Sequence, residues 1–431
     1  MSSQNIEKLN RSLENNALGQ FKLGRYTDAG GDECIYDISK SSNFNLGLMG
    51  MSGVGKTYTI SKVISAYSEL ITDVGEPTIF ILDVQGDFDS LAGVPDEKIN
   101  HVNFAYAHGD GAVNPLHVDP IGGIFVAVRS FVEIVKIFNN SLGARQAADL
   151  ELIVNSLYKK FGFNKDDAST WNNEPPMLAD LVEQVRTLIG SVKSGLEVDH
   201  LDAIKDILNK ETLDECDIET EDGLKKYAAF GESVKKAIDQ PRELGTHAKW
   251  NLERLESIEH TLVHMMSSGL FSGNNIKPEV GKINVYKLVK LQERDMLTVI
   301  HLLLDRIFSF AQRRAVTLNP TLPRMLVVLD EGKLAKESSK KALSPLNRIA
   351  TEARKYGLGA ILGVQSPDHI SDDLRRNCAG FIIMPVHPSE YSGVKSRFHV
   401  DIQNIINLTP RSEGLVYLND GRFRPVRLFA E

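Results

Sequence analysis

The sequence predicts an α/β protein whose largely parallel sheet is flanked by helices. Short apolar runs alternate with helix-patterned segments, and this alternation favours parallel strands joined by right-handed crossovers. Two runs, 77–84 and 324–331, are almost continuously apolar until they reach an acidic residue, which is typical of strands covered on both faces. A third observation is a glycine-rich loop, 50–57, between the apolar run 46–49 and a helix with one apolar face.

The predicted elements divide the chain into four parts. A chain of 431 residues suggests two or three domains, or one elaborated α/β domain. Residues 1–44 are predicted to form a short helix and only a short β element. Residues 45–119 and 271–431 are predicted to form the two parts of the sheet core, the second with C-terminal strands. Between them, apolar positions take helical spacing, which predicts a helical insertion subdomain over 120–270.

Composition excludes several classes of protein. Three cysteines, Cys34, Cys216 and Cys378, stand singly and suggest neither a zinc site nor a disulfide framework, so a reducing cytoplasm is expected. No signal-like segment is seen, and no apolar run approaches the roughly 18 residues that cross a bilayer, so no membrane partner is expected. The net charge of −8 argues against an extensive nucleic-acid-binding surface, but not against a local basic channel.

The glycine-rich loop has the pattern Gly50-x-x-x-x-Gly55-Lys56-Thr57 of a phosphate-binding loop. Its glycines permit backbone angles that let N–H groups turn towards an anion at the start of a helix. Lys56 would reach the β- and γ-phosphates, and the hydroxyl of Thr57 would hold Mg²⁺. ATP with Mg²⁺ is therefore the expected cofactor. The residues predicted to bind it are Gly50, Ser52, Gly53, Val54, Gly55, Lys56, Thr57 and Tyr58.

Polar residues at predicted strand ends supply the remaining chemistry. Asp330 and Glu331 close an apolar strand, where Asp330 would bind Mg²⁺ and Glu331 would activate the attacking water. Gln365 ends another buried strand and would sense the γ-phosphate or hold the water. Asp87 follows a third strand and would join the metal or water network. The alternative interpretations are that the Asp330-Glu331 pair faces solvent, that Gln365 caps the end of its strand and that Asp87 only forms a turn.

Three arginines are candidates for an arginine finger, which neutralises charge in the transition state of phosphoryl transfer. Arg354 is the first choice because it lies between the Asp-Glu strand and the strand that ends at Gln365. Arg375 and Arg376 are the other candidates. For each arginine, a surface salt bridge is the alternative interpretation.

Four blocks together resemble the HerA/FtsK superfamily of P-loop ATPases, and its HerA branch most closely. Residues 48–57 look like the phosphate loop of that family, and 82–88 are similar to its D-P-H-G-E-F block. Residues 327–331 resemble its Walker B strand, and 349–367 resemble its R-K-F-G…T-Q-x-P segment. Three features depart from the family: about 45 residues before the loop cannot hold a full N-terminal β-barrel, an aspartate replaces the usual glutamate of the second block, and Gly-Lys follows the Asp-Glu pair.

The resemblance implies a RecA-like fold and a homohexameric ring that pulls double-stranded DNA through its central pore, often together with a nuclease or another effector protein. It also implies that Arg354 acts in trans on a neighbouring subunit and that Gln365 is the sensor glutamine. The leading hypothesis is therefore an ATP-hydrolysing DNA translocase. DNA would be gripped by a pore loop within 85–120 or 366–377, and the latter includes Arg375 and Arg376.

Two alternatives remain open. One is a nucleotide-gated ring scaffold that assembles and activates an effector enzyme, which the acidic balance and short N-terminal part would suit. The other is a protein-translocating ATPase of the type IV secretion kind, which shares the same sequence blocks. The cellular setting, such as anti-phage defence or DNA end processing, does not follow from the sequence.

Overall fold

The computed structural model describes residues 19–28, 30–106, 109–194, 225, 228–235, 250–273, 276–331, 345–418 and 421–429. The helix predicted at the start of the chain and the Gly-Lys pair after Glu331 lie outside these residues. The described residues group into two compact units. One unit contains those of 1–113 and 274–431, and the other contains those of 114–273.

The first unit is organised around one eleven-stranded sheet. In chain order its strands are β1 (Gln20–Tyr26), β2 (Glu33–Asp37), β3 (Leu46–Met49), β4 (Thr78–Asp83), β5 (Ile99–Asn103), β6 (Ile283–Lys287), β7 (Met325–Leu329), β8 (Leu358–Val364), β9 (Gly380–Ile383), β10 (Glu413–Tyr417) and β11 (Phe423–Leu428). Across the sheet the strands follow the order β2-β1-β11-β10-β9-β3-β8-β7-β4-β6-β5.

The sheet is parallel over most of its width and antiparallel at one side. The seven strands from β9 to β5 in this order run parallel. The other four, β10, β11, β1 and β2, join by antiparallel pairs. This confirms the predicted α/β class with a largely parallel sheet. The N-terminal strands β1 and β2 extend the same sheet through β11 rather than standing apart from it.

Helices flank the sheet within the first unit. They are α1 (Lys56–Ser68), α6 (Glu293–Arg313), α7 (Pro345–Glu352), α8 (Asp372–Arg376), α9 (Tyr391–Phe398) and α10 (Ile402–Ile406). The apolar face predicted for α1 is buried: Ile60, Val63, Ile64 and Tyr67 have no exposed surface. This face packs into the same core as Leu46, Leu48, Ile79 and Ile81 of the neighbouring strands, so burial of apolar area holds the glycine loop against the sheet.

The second unit is helical. It contains α2 (Gly123–Phe138), α3 (Ala144–Lys160), α4 (Leu178–Ser194) and α5 (Leu252–Ser267). Phe138 packs edge-on against Phe271 with ring centroids 6.1 Å apart, and Arg254 pairs with Asp149 at 2.6 Å. In the part of the chain that the structure describes, no helix is long and apolar enough to span a membrane.

Candidate functional site

The glycine loop joins β3 to α1 at the carboxyl end of the parallel strands. Gly53 and Gly55 have φ angles of 81° and 93°, which are strained for any residue with a side chain. The N–H of Gly50 donates to the carbonyl of Val364 at 3.0 Å, which ties the start of the loop to β8. The N–H groups of Ser52 and Gly53 donate to no group in the described part of the chain. The loop therefore presents unsatisfied donors beside the positive end of a helix, the arrangement that binds phosphate.

Lys56 and Thr57, the first two residues of α1, both contact Asp330. The Nζ of Lys56 lies 3.4 Å from Oδ1 of Asp330, and the Thr57 hydroxyl donates to Oδ2 at 2.9 Å. The side chains of Lys56 and Asp330 are only 8% and 5% exposed. Burial raises the pKa of Asp330 to about 6, with Asp87 adding to the rise and Lys56 opposing it. Removing this carboxylate from water disfavours its charged form, so a further cation beside it would be stabilising.

Thr57 and Asp330 thus place a hydroxyl and a carboxylate together, as the sequence predicts for a magnesium site. The described residues contain no group of three His, Cys, Asp or Glu side chains that could hold a metal. Mg²⁺ does not need such a group, because it commonly binds one or two carboxylates together with substrate phosphates and water. The donor set is therefore suited to a metal that arrives with a nucleotide.

Glu331 lies within a small network of side chains at the ends of adjacent strands. Its Oε2 accepts a hydrogen bond from Nε2 of Gln85 at 2.8 Å and a longer one from Nε2 of Gln365 at 3.5 Å. These three residues meet because β4, β7 and β8 are parallel neighbours in the sheet. Two amides that donate to one carboxylate oxygen fix its direction, which a water-activating base requires.

The turn after β4 positions Asp87, which the sequence predicts to join the metal or water network. Asp83 is 1% exposed, and its carboxylate accepts from the N–H groups of Gly86 at 2.8 Å and Asp87 at 3.2 Å. This turn presents Asp87 to the cavity above the glycine loop. The cavity has a volume of about 410 Å³. It is lined by Met51, Ser52, Gly53, Gly55, Lys56, Thr57, Tyr58, Gln85, Asp87, Gln365 and Arg411.

Arg354 lies away from this cavity. It is in a short 3₁₀ helix, Ala353–Tyr356, that precedes β8, whereas Gln365 follows β8. The seven residues of β8 span roughly 23 Å, so Arg354 and Gln365 lie beyond opposite ends of this strand. The Arg354 guanidinium donates to the Ser41 carbonyl at 3.4 Å and lies over the ring of Phe44.

Arg375 and Arg376, at the end of α8, differ in exposure. Arg375 pairs with Asp372 at 3.5 Å, stacks on Phe398 and is only 24% exposed. Arg376 is exposed and has no ion-pair partner among the described residues. Of the two, Arg376 is the one whose charge is available to a ligand.

Sequence reasoning assigned no role to three residues of this site. Asp83 and Gln85 lie in the block that resembles D-P-H-G-E-F, so the family resemblance was a signal that could have found them. Arg411 carried no such signal. It lies 358 residues from Gly53 in the chain, and only the folded sheet brings the two together.

A glycine loop between strand and helix, a buried lysine and threonine against a strand-end aspartate, and an oriented glutamate define a P-loop ATPase. The family model described as "Helicase HerA, central domain" matches residues 21–307, more than half of the chain. The protein therefore belongs to the HerA family of ATPases, and the resemblance noted from its sequence blocks is confirmed.

Solved structures share this fold over nearly the whole chain. VirB4 of Thermoanaerobacter pseudethanolicus is 15% identical, with a TM-score of 0.64 over 95% of this chain and 96% of that one. The bacterial conjugative coupling protein TrwB, in its ΔN70 form, is 13% identical, with a TM-score of 0.50 over 97% and 92% of the two chains. These likenesses confirm the RecA-like fold. A search among curated proteins found no significant match.

Proposed function

We propose that this ATPase is a homohexameric ring motor that moves double-stranded DNA through its central pore. The observation that carries the proposal is the meeting of the glycine loop, the Lys56–Asp330 pair and the Gln85–Glu331–Gln365 network around one cavity. This arrangement can bind a nucleoside triphosphate and activate a water against it. Membership of the HerA family supplies the link from hydrolysis to DNA.

Each side chain at the site has a defined task in hydrolysis. The N–H groups of the loop and Lys56 hold the phosphates, while Thr57 and Asp330 would hold Mg²⁺, with Asp87 nearby. Bound Mg²⁺ supplies charge neutralisation for the transferring phosphoryl group. Glu331 takes a proton from the attacking water, and Gln85 and Gln365 keep its carboxylate in place. Because Gln365 contacts Glu331 and also lines the cavity, it can report the presence of the γ-phosphate.

The position of Arg354 favours a ring. This arginine lies at the amino ends of the parallel strands, whereas the glycine loop of its own chain lies at their carboxyl ends. It can therefore complete a nucleotide site only on a neighbouring subunit. Its Nε is buried and has no hydrogen-bond partner among the residues that the structure describes. A site shared between subunits makes hydrolysis depend on assembly, as an arginine finger supplied in trans does.

DNA would be held by its phosphates, without reading of base sequence. Arg376 is exposed and has no ion-pair partner in the described part of the chain, which supports the segment 366–377 as the one that grips DNA, with 85–120 as the other candidate. A nuclease or other effector that works with the ring is part of the proposal, because HerA-like proteins often act with one. The protein-translocating alternative is the second candidate, since the fold extends over nearly all of VirB4.

Steady-state ATP turnover of the purified protein, with and without linear duplex DNA, tests the proposal. We expect DNA to stimulate turnover and Lys56→Ala to abolish it, because the variant loses the lysine that reaches the phosphates. Turnover that is robust but unaffected by DNA would contradict a DNA motor and would favour protein translocation or a nucleotide-gated scaffold. Co-purification of an effector whose activity survives Glu331→Gln would favour the scaffold.

A further inference from the structure

Arg411 holds the glycine loop from a distant part of the same unit. It lies in the turn between α10 and β10, and its backbone N–H donates to the carbonyl of Val54 at 3.0 Å. Its side-chain Nε donates to the carbonyl of Gly53 at 3.1 Å. The two bonds place the arginine against Gly53 and Val54 of the glycine loop.

The backbone at Arg411 has a conformation that side chains disfavour. Its φ angle of 66° lies in the left-handed region, where glycine is the favoured residue. A Cβ built on Gly55 would lie 3.4 Å from the Cα of Arg411, in van der Waals contact, so the glycine loop and the turn that carries Arg411 are direct neighbours. Because this backbone conformation favours glycine, the presence of an arginine suggests a role for its side chain.

The charge of Arg411 is not used within the described protein. No carboxylate there pairs with it, whereas the arginines of the adjacent strand β11 are paired, Arg424 with Asp28 at 3.1 Å and Arg427 with Glu413 at 3.5 Å. Its Nε donates to Gly53, whereas its two terminal nitrogens bond to none of the described residues, and the side chain lines the nucleotide cavity. A planar guanidinium with both terminal nitrogens available matches the oxygens of a phosphate.

We propose that Arg411 binds the phosphates of the nucleotide in cis, as a second cation beside Lys56. The proposal deepens the nucleotide site of the proposed function and does not depend on DNA or on ring assembly. Lys56 would approach the phosphates from within the loop, and Arg411 would approach from the solvent side of Gly53. The same contact would tie the bound nucleotide to the turn that leads into β10.

Equilibrium binding of a fluorescent ATP analogue, without DNA, tests this with three substitutions. Arg411→Gln keeps a donor for the Gly53 carbonyl but removes the charge, and we expect about 10- to 100-fold weaker binding, the value of one charge-assisted hydrogen bond. Arg411→Lys keeps the charge and should lose less. Arg411→Gly relaxes the left-handed backbone, so it should keep the melting temperature of the parent while losing affinity. Arg427→Gln is the matched control and should bind as the parent does.

Several results would overturn the proposal. Parent-like affinity in Arg411→Gln would show that the charge does not meet the phosphates. Equal losses in the Lys and Gln variants, or a lowered melting temperature with unchanged affinity in Arg411→Gly, would assign Arg411 only to bracing the loop. Failure of DNA to stimulate turnover would count against the DNA motor and leave this binding result standing, so the two failures are distinguishable.

Discussion

Replacement of Glu331 by glutamine should separate ATP binding from ATP hydrolysis. The amide keeps the size of the side chain and an oxygen that can accept from Gln85, whose Nε2 lies 2.8 Å from Oε2 of Glu331. It removes the negative charge that takes the proton of the attacking water. A positioned general base is worth about 10²- to 10⁴-fold in rate, or roughly 3 to 5 kcal/mol of activation free energy. We expect turnover to fall by that factor.

Affinity for ATP should change little in the same variant. The groups that hold phosphate are the loop N–H donors and Lys56, and the carboxylate that pairs with Lys56 is Asp330 rather than Glu331. Single-turnover hydrolysis and equilibrium binding measure the two quantities separately. Glu76→Gln is the control, since Glu76 is an exposed glutamate that pairs with Lys98 at 2.9 Å. Turnover by Glu331→Gln within a few-fold of the parent would refute the assignment of the base.

Three further predictions concern stability, assembly and DNA. Asp73→Asn should lower the free energy of unfolding by about 2 kcal/mol in denaturant melts, because the fully buried Arg324 loses its partly exposed carboxylate partner. Arg324 lowers the pKa of Asp73, so this loss should be full above the ordinary carboxyl pKa of about 4 and fade as pH falls through the lower folded-state pKa. Co-expressed Arg354→Ala and Glu331→Gln chains should recover about a quarter of parental turnover. An active interface needs Glu331 from one subunit and Arg354 from its neighbour, and about a quarter of the interfaces in a mixed ring would have both. Arg376→Ala should weaken DNA binding in gel shifts and reduce its salt dependence.

Matched variants make these predictions specific. Asp28→Asn removes an exposed pair and should leave stability unchanged, and an equally small effect of Asp73→Asn would contradict the first prediction. Co-expressed Lys56→Ala and Glu331→Gln chains have both defects in the same half-site and should recover nothing. No recovery in the mixture of Arg354→Ala and Glu331→Gln chains would refute the trans arrangement. Arg375→Ala should affect DNA less than Arg376→Ala, because Arg375 already pairs with Asp372. The opposite order would remove Arg376 from the DNA surface.

The sheet was predictable because its buried strands are short apolar runs with distinctive ends. The glycine loop was predictable because its glycines, lysine and threonine have the spacing that is typical of a phosphate-binding loop. Strand order was not predictable from these runs. β4, β7 and β8 are neighbours although β5, β6 and a helical unit separate β4 from β7 in the chain, and this order is what brings Gln85 to Glu331.

Contacts between distant loops were also beyond sequence reasoning. The bond from Arg411 to Gly53 depends on the antiparallel side of the sheet, whose direction no apolar pattern encodes. The sequence order of Arg354 between two strand-end residues suggested proximity to the nucleotide. The structure places it at the amino end of β8. A crossover between parallel strands runs from the carboxyl end of one strand back to the amino end of the next, and Arg354 is at the end of such a crossover.

We propose that ATP hydrolysis drives movement along duplex DNA, and displacement of a third strand from a DNA triplex tests this most directly. The parent protein with ATP should release the third strand from linear duplex DNA, because a moving ring strips it off. Lys56→Ala and Glu331→Gln should leave the triplex intact. Rapid ATP hydrolysis by the parent with no release of the third strand would contradict the account.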